Sequence, residues 1–69
     1  MNNSELLMSK ISDSGLKVSF IAAKLGITRS GLYKKVHNQS LFNQREIYIL
    51  CQLLGIKTLE EIKAIFFNI

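Results

Sequence analysis

The chain has 69 residues, 48% of them apolar, and a formal net charge of +4. That length admits one domain, residues 1–69, which buries only about 60% of its unfolded surface, and the apolar share excludes a disordered chain. The single cysteine cannot form an internal disulfide, no apolar run approaches the roughly 20 residues of a membrane helix, and no basic start leads into an apolar block, so a cytoplasmic location is expected.

A first helix is expected over Met1 to Ser14, opened by a capping box between Asn2 and Glu5 and carrying an apolar stripe through Leu7 and Ile11. Ser12, Asp13, Ser14 and Gly15 are turn-formers that end it, and Leu16 returns to the core. Lys17 is a poor N-cap, so the second helix relies on packing by Phe20 and Ile21. Ile21, Ala22 and Leu25 form its inward stripe, and Gly26 stops it where a left-handed cap suits glycine. A larger residue than Ala22, four positions before that glycine, would hold the second and third helices apart.

Thr28 is the natural N-cap of a third helix, Arg29 to Val36, seated by Leu32 and Val36. Opposite those two lie Arg29, Ser30, Tyr33, Lys34 and His37, a shared face with no acidic residue. Arginine can grip guanine O6 and N7 with two parallel hydrogen bonds, and hydroxyls can bond a base edge or a phosphate. Arg29, Ser30, Tyr33 and Lys34 are therefore the candidate base contacts, within a helix-turn-helix whose second helix enters the major groove.

A polar loop follows, His37, Asn38, Gln39 and Ser40, with Leu41 and Phe42 expected to pin it to the core. Asn43 opens a fourth helix in a capping box with Glu46, and Arg45 sits in its first turn against the macrodipole, which suggests a phosphate contact. Ile47, Leu50, Cys51 and Leu54 form the core stripe of that helix, Gly55 closes it, and Thr58 with Glu61 opens a fifth from Leu59 to about Phe67. Cys51 reads as a small core hydrophobe, since no histidine or carboxylate stands at metal-ligand spacing, and no metal or cofactor is expected. Ile65, Phe66, Phe67 and Ile69 crowd the end of the chain, where they either pack on the first helix or form a self-complementary patch for a homodimer.

Charge is unevenly placed. Between Ser14 and Arg45 there are six basic residues (Lys17, Lys24, Arg29, Lys34, Lys35, Arg45) and no acidic one, while the remainder carries three basic and five acidic residues. A cationic block over the third helix and its loop is the footprint of a phosphate-binding surface.

Ile21, Ala22, Leu25, Gly26, Ile27, Leu32 and Val36 together resemble the helix-turn-helix of the Cro and phage-repressor family. The segments IAAKLGITRSGLYKKV, FNQREI and LCQLLGI are similar to small DNA-binding proteins of temperate phages of Gram-positive bacteria. The resemblance spans about Leu6 to Phe67 and implies an all-α, compact five-helix lambda-repressor-like domain with a central helix-turn-helix. It also implies that the loop after the third helix lies along the sugar-phosphate backbone, where Asn38 and Gln39 would donate to phosphates. Two positions depart from the family pattern. Val18 stands where many members have a phosphate-binding glutamine, leaving Lys17 or Ser19 to supply that contact, and Lys35 stands where many have a large apolar residue, leaving Val36 the inward position. The expected phosphate-contacting set is Lys17, Ser19, Thr28, Lys35, His37, Asn38, Gln39 and Arg45.

The function these features imply is sequence-specific transcriptional regulation in a phage genetic switch, in the bacterial host cytosol, with a double-stranded DNA operator as partner. In the alternative, an antirepressor that docks on a phage repressor protein, Tyr33, Phe67 and Ile69 would supply the interface. An enzyme is not expected: the only histidine lacks a nucleophile or carboxylate partner on its helix, and there is no glycine-rich phosphate loop. No membrane or small-molecule partner is implied.

Overall fold

The computed structural model describes residues 1–67, and among them it contains five helices and no strand: α1 (Ser4–Ser14), α2 (Val18–Leu25), α3 (Arg29–Val36), α4 (Gln44–Leu54) and α5 (Leu59–Phe66). Local chemistry sets most of their ends. Thr28 caps α3 by accepting from the Gly31 N–H at 3.0 Å. Asn43 and Glu46 form the reciprocal capping box of α4, with bonds of 2.8 and 2.9 Å. At Gly26 (φ 76°) the chain turns left-handed, and the N–H groups of Gly26 and Ile27 close on the carbonyls of Ala23 and Ala22, each at 3.0 Å. Lys17 supplies no side-chain cap to α2, as its chemistry implied.

The start of α1 differs from expectation by one residue. Asn3, rather than Asn2, is the N-cap, accepting from the Leu6 N–H at 3.1 Å. Two adjacent asparagines compete for the cap, and a tertiary bond decides between them: the Asn3 N–H donates to the Ile65 carbonyl of α5 at 2.7 Å, holding that residue outside the helix. Asn2 is left to bond elsewhere.

All five helices feed one core. Leu7 and Ile11 of α1, Ile21, Ala22 and Leu25 of α2, Leu32 and Val36 of α3, Leu50 of α4 and Ile65 and Phe66 of α5 are buried, with Ile56 after Gly55. In that arrangement α2 lies against α3 and α4, and α1 against α3, α4 and α5. The Cα radius of gyration, 10.7 Å, matches the about 11 Å expected for a compact chain of this length. Among the described residues no helix is long and apolar enough to cross a membrane.

Several apolar side chains are placed otherwise than the sequence suggested. Ile65 and Phe66, candidates for a dimer patch, are core residues. The Phe66 ring meets Phe42 edge-on, with centroids 6.0 Å apart, and the Ile65 backbone receives Asn3. Phe67 is 55% exposed and remains available to a partner, whereas Ile69 lies outside the described residues. Phe42 does anchor the loop before α4, but Leu41 is 79% exposed and anchors nothing. Phe20 is also exposed, at 43%; the Lys24 ammonium lies 5.4 Å from its ring centroid, so α2 is seated by Ile21, Ala22 and Leu25 without it.

Candidate nucleic-acid interface

The helix α3 is eight residues long and too short to persist alone in water. Its termini hold it in place. Thr28 closes the start, and Gly31 lets that cap sit close, since a Cβ there would come within 3.2 Å of the Thr28 hydroxyl oxygen. At the other end Asn38 takes a left-handed conformation (φ 65°), which lets the Gln39 N–H reach the Lys34 carbonyl at 2.8 Å. With Leu32 and Val36 turned inward, the opposite face is offered outward as a concavity of about 510 Å³ lined by Arg29, Ser30, Tyr33, Lys34, His37 and Gln39.

All four expected base contacts therefore share one hollow, joined by His37 and Gln39 from the expected phosphate set. No carboxylate lines it. Lys17, Ser19, Thr28 and Arg45 are exposed but lie outside the lining.

Two expected phosphate contacts are otherwise engaged. The Lys35 ammonium donates to both carboxylate oxygens of Glu46 at 2.7 Å, and the Lys35 side chain is only 17% exposed, so its charge is paired within the protein. The Asn38 side chain turns away from the hollow and grips residue 2, accepting from the Asn2 N–H at 2.7 Å and donating to the Asn2 carbonyl at 3.0 Å. Arg45 has a structural use as well: its Nη1 donates to the Leu25 carbonyl at 3.2 Å, at the end of α2. That bond accounts for a cation in the first turn of α4 without a ligand.

Glu46 is the residue the sequence concealed. It was legible as a capping partner, but its burial (3% exposed) and its pairing with Lys35, eleven positions away across a loop, are tertiary facts. Burial pulls its carboxyl upward, yet the bonds from Lys35 and the Asn43 N–H, with the charges of Lys35 and Arg45, outweigh this and hold it below the ordinary glutamate range. The Lys10–Glu61 bridge, 2.8 Å, joins α1 to α5. Its bond from Lys10 likewise holds the Glu61 carboxyl low against a smaller effect of burial. Burial pushes the Cys51 thiol up, and the Glu61 charge adds to this, which fits an inert, half-buried side chain packed against the core. Among the described residues no group of three or more His, Cys, Asp or Glu side chains is placed to hold a metal ion.

No protein-family model, curated protein or solved structure matches the chain.

Proposed function

We propose that this protein is a sequence-specific DNA-binding regulator of the Cro or phage-repressor type, which lays α3 in the major groove of an operator and blocks transcription by occupancy in the host cytosol. The observation that carries the reading is the hollow on the outer face of α3, where Arg29, Ser30, Tyr33 and Lys34 converge with no carboxylate among them. Arg29 and Lys34 suit guanine edges, and Ser30 and Tyr33 supply hydroxyls that serve either a base or a phosphate. Phosphates are assigned to Lys17, Ser19, Thr28, His37 and Gln39, with the exposed remainder of Arg45. Lys35 and Asn38 are left out of that set, being paired within the protein.

The test is a fluorescence-anisotropy titration on the intergenic DNA beside its gene and on a mixed-sequence duplex, repeated over a salt series. Counterion release comes from the cations, Lys17 and Arg45 at phosphates with Arg29 and Lys34 beside them. Two to four of these predict a slope of log K against log salt of about −2 to −4, with the intergenic DNA bound more tightly. Absence of binding to either duplex at low salt overturns the reading.

One observation favours a protein partner: Leu41, Tyr48, Leu59 and Phe67 are large, apolar or aromatic, and exposed. In that second reading the chain is an antirepressor that covers the DNA-reading face of a phage repressor, and Phe67 is equally available to a homodimer. A stable complex with the neighbouring repressor, together with no DNA binding by this chain alone, would select the antirepressor.

A further inference from the structure

The four hydrogen bonds that tie the N-terminal residues to the far end of α3 have no place in the reading above. Asn2 and Asn38 bond reciprocally through the Asn38 amide, Asn2 Nδ2 donates to the Lys35 carbonyl at 2.7 Å, and Ser4 Oγ donates to the Val36 carbonyl at 2.8 Å. The last carbonyls of a helix have no partner within it, and here two of them are satisfied by residues more than thirty positions earlier. Asn38 is the one non-glycine residue with positive φ among those described. The left-handed geometry sends its side chain back to residue 2, while its neighbours His37 and Gln39 line the hollow.

We propose that Asn2 and Asn38 are positioning residues for the α3 face: their clasp fixes the rim formed by His37 and Gln39, and so sets how that end of α3 meets the phosphate backbone. The effect on DNA rests on the function proposed above; the effect on the rim does not. A residue that only stabilised the fold would act through global stability. The clasp acts on the rim even where global stability is kept, and Asn38→Gly separates the two. Glycine adopts the left-handed backbone without strain, so the turn survives while both side-chain bonds are lost. Asn2→Ala removes the bond to the Lys35 carbonyl and leaves residue 38 untouched.

Both variants are measured by urea unfolding, by amide hydrogen exchange at His37 and Gln39, and by anisotropy on a mixed-sequence duplex of two helical turns, ~21 base pairs. For Asn38→Gly the relief of left-handed strain offsets much of the loss of two bonds, so the unfolding midpoint is expected to fall only slightly, while exchange at Gln39 accelerates about tenfold or more, beyond what that fall accounts for. Duplex affinity is expected to fall about three- to tenfold, with the salt slope unchanged, because no lysine or arginine leaves the interface. Asn2→Ala should lower the midpoint slightly and shift exchange and affinity in the same direction as Asn38→Gly by less. Gln39 exchange that follows the unfolding midpoint alone, or unchanged exchange in both variants, overturns the clasp. So does faster exchange with wild-type duplex affinity. If the wild-type chain binds no duplex, the proposed function fails, and the clasp is then decided by exchange alone.

Discussion

The ion pair between Lys35 and Glu46 gives the sharpest energetic test of the fold. Glu46→Ala leaves the ammonium of Lys35, whose side chain is 17% exposed, without its partner and deprives the Asn43 N–H of its acceptor. Removing one member of a buried pair typically costs about 3 to 5 kcal/mol. The lower end applies, because the lysine stem is flexible enough to carry its charge toward water, so the expected loss is about 3 kcal/mol. Set against a total of about 3 to 10 kcal/mol for a chain of this length, that is a large share of the stability.

The double variant Lys35→Met with Glu46→Gln removes both charges and keeps an acceptor for Asn43, and it should return to within about 1 kcal/mol of wild type. The carboxyl also sets a pH dependence. Held below its unfolded-state value, it contributes stability that is complete above that value and is lost as pH falls through the lowered one. Wild type should therefore show an acid limb that Glu46→Gln makes shallower, though Glu61, lowered by Lys10, keeps some of it. Urea unfolding followed by circular dichroism at neutral and acid pH measures all three. A loss under about 0.5 kcal/mol for Glu46→Ala, the range of an ordinary surface change, would refute the reasoning.

Arg29→Ala should weaken binding to the preferred DNA by about 1 to 3 kcal/mol and relax discrimination at one base pair; an equal loss on mixed-sequence DNA, read by anisotropy, would remove its base-reading role. Arg45→Ala should weaken all sequences alike and, because its guanidinium also bonds the Leu25 carbonyl, lower the unfolding free energy by about 1 kcal/mol; undiminished stability would show that bond to be idle. Gly26→Ala should destabilise by about 1 to 2 kcal/mol. Since nothing lies within 4 Å of the added Cβ, the penalty is conformational, and Gly26→Asn should recover part of it in the same unfolding assay.

What the sequence disclosed was whatever local chemistry decides. Gly26, Thr28 and the Asn43 and Glu46 box mark helix ends because glycine's freedom and a short polar side chain act within four residues. The outer face of α3 was legible for a similar reason: with Leu32 and Val36 inward, helical spacing alone gathers Arg29, Ser30, Tyr33 and Lys34, and they do line one hollow. Contacts between distant segments were not legible. Asn2 and Asn3 are chemically identical candidates for one cap, and only the carbonyl of Ile65 tells them apart. Lys35 borders the inward face, and nothing within its own helix announces that Glu46 faces it. Ile65, Phe66 and Phe67 are consecutive and similarly apolar, so which are core and which are surface depends on where Phe42 and α1 stand.

A helix that presents a chemically demanding face outward cannot also anchor itself by a wide apolar stripe. Only Leu32 and Val36 of α3 are buried, against three residues from the equally short α2. The deficit is met by polar ties made outside the hollow. Glu46 holds Lys35 near its end, Asn2 and Ser4 take the carbonyls of Lys35 and Val36, and Asn38 just beyond binds residue 2. Directional bonds of this kind fix rotation about the helix axis, which two aliphatic side chains fix poorly, and it is rotation that decides whether Arg29, Tyr33 and Lys34 point at the same target. These ties concentrate at the end of α3, and two of them withdraw from solvent side chains that could have bound phosphate. The charge of Lys35 is thus given up for orientation, which the proposed reading of a particular sequence would need and mere attraction of polyanions would not.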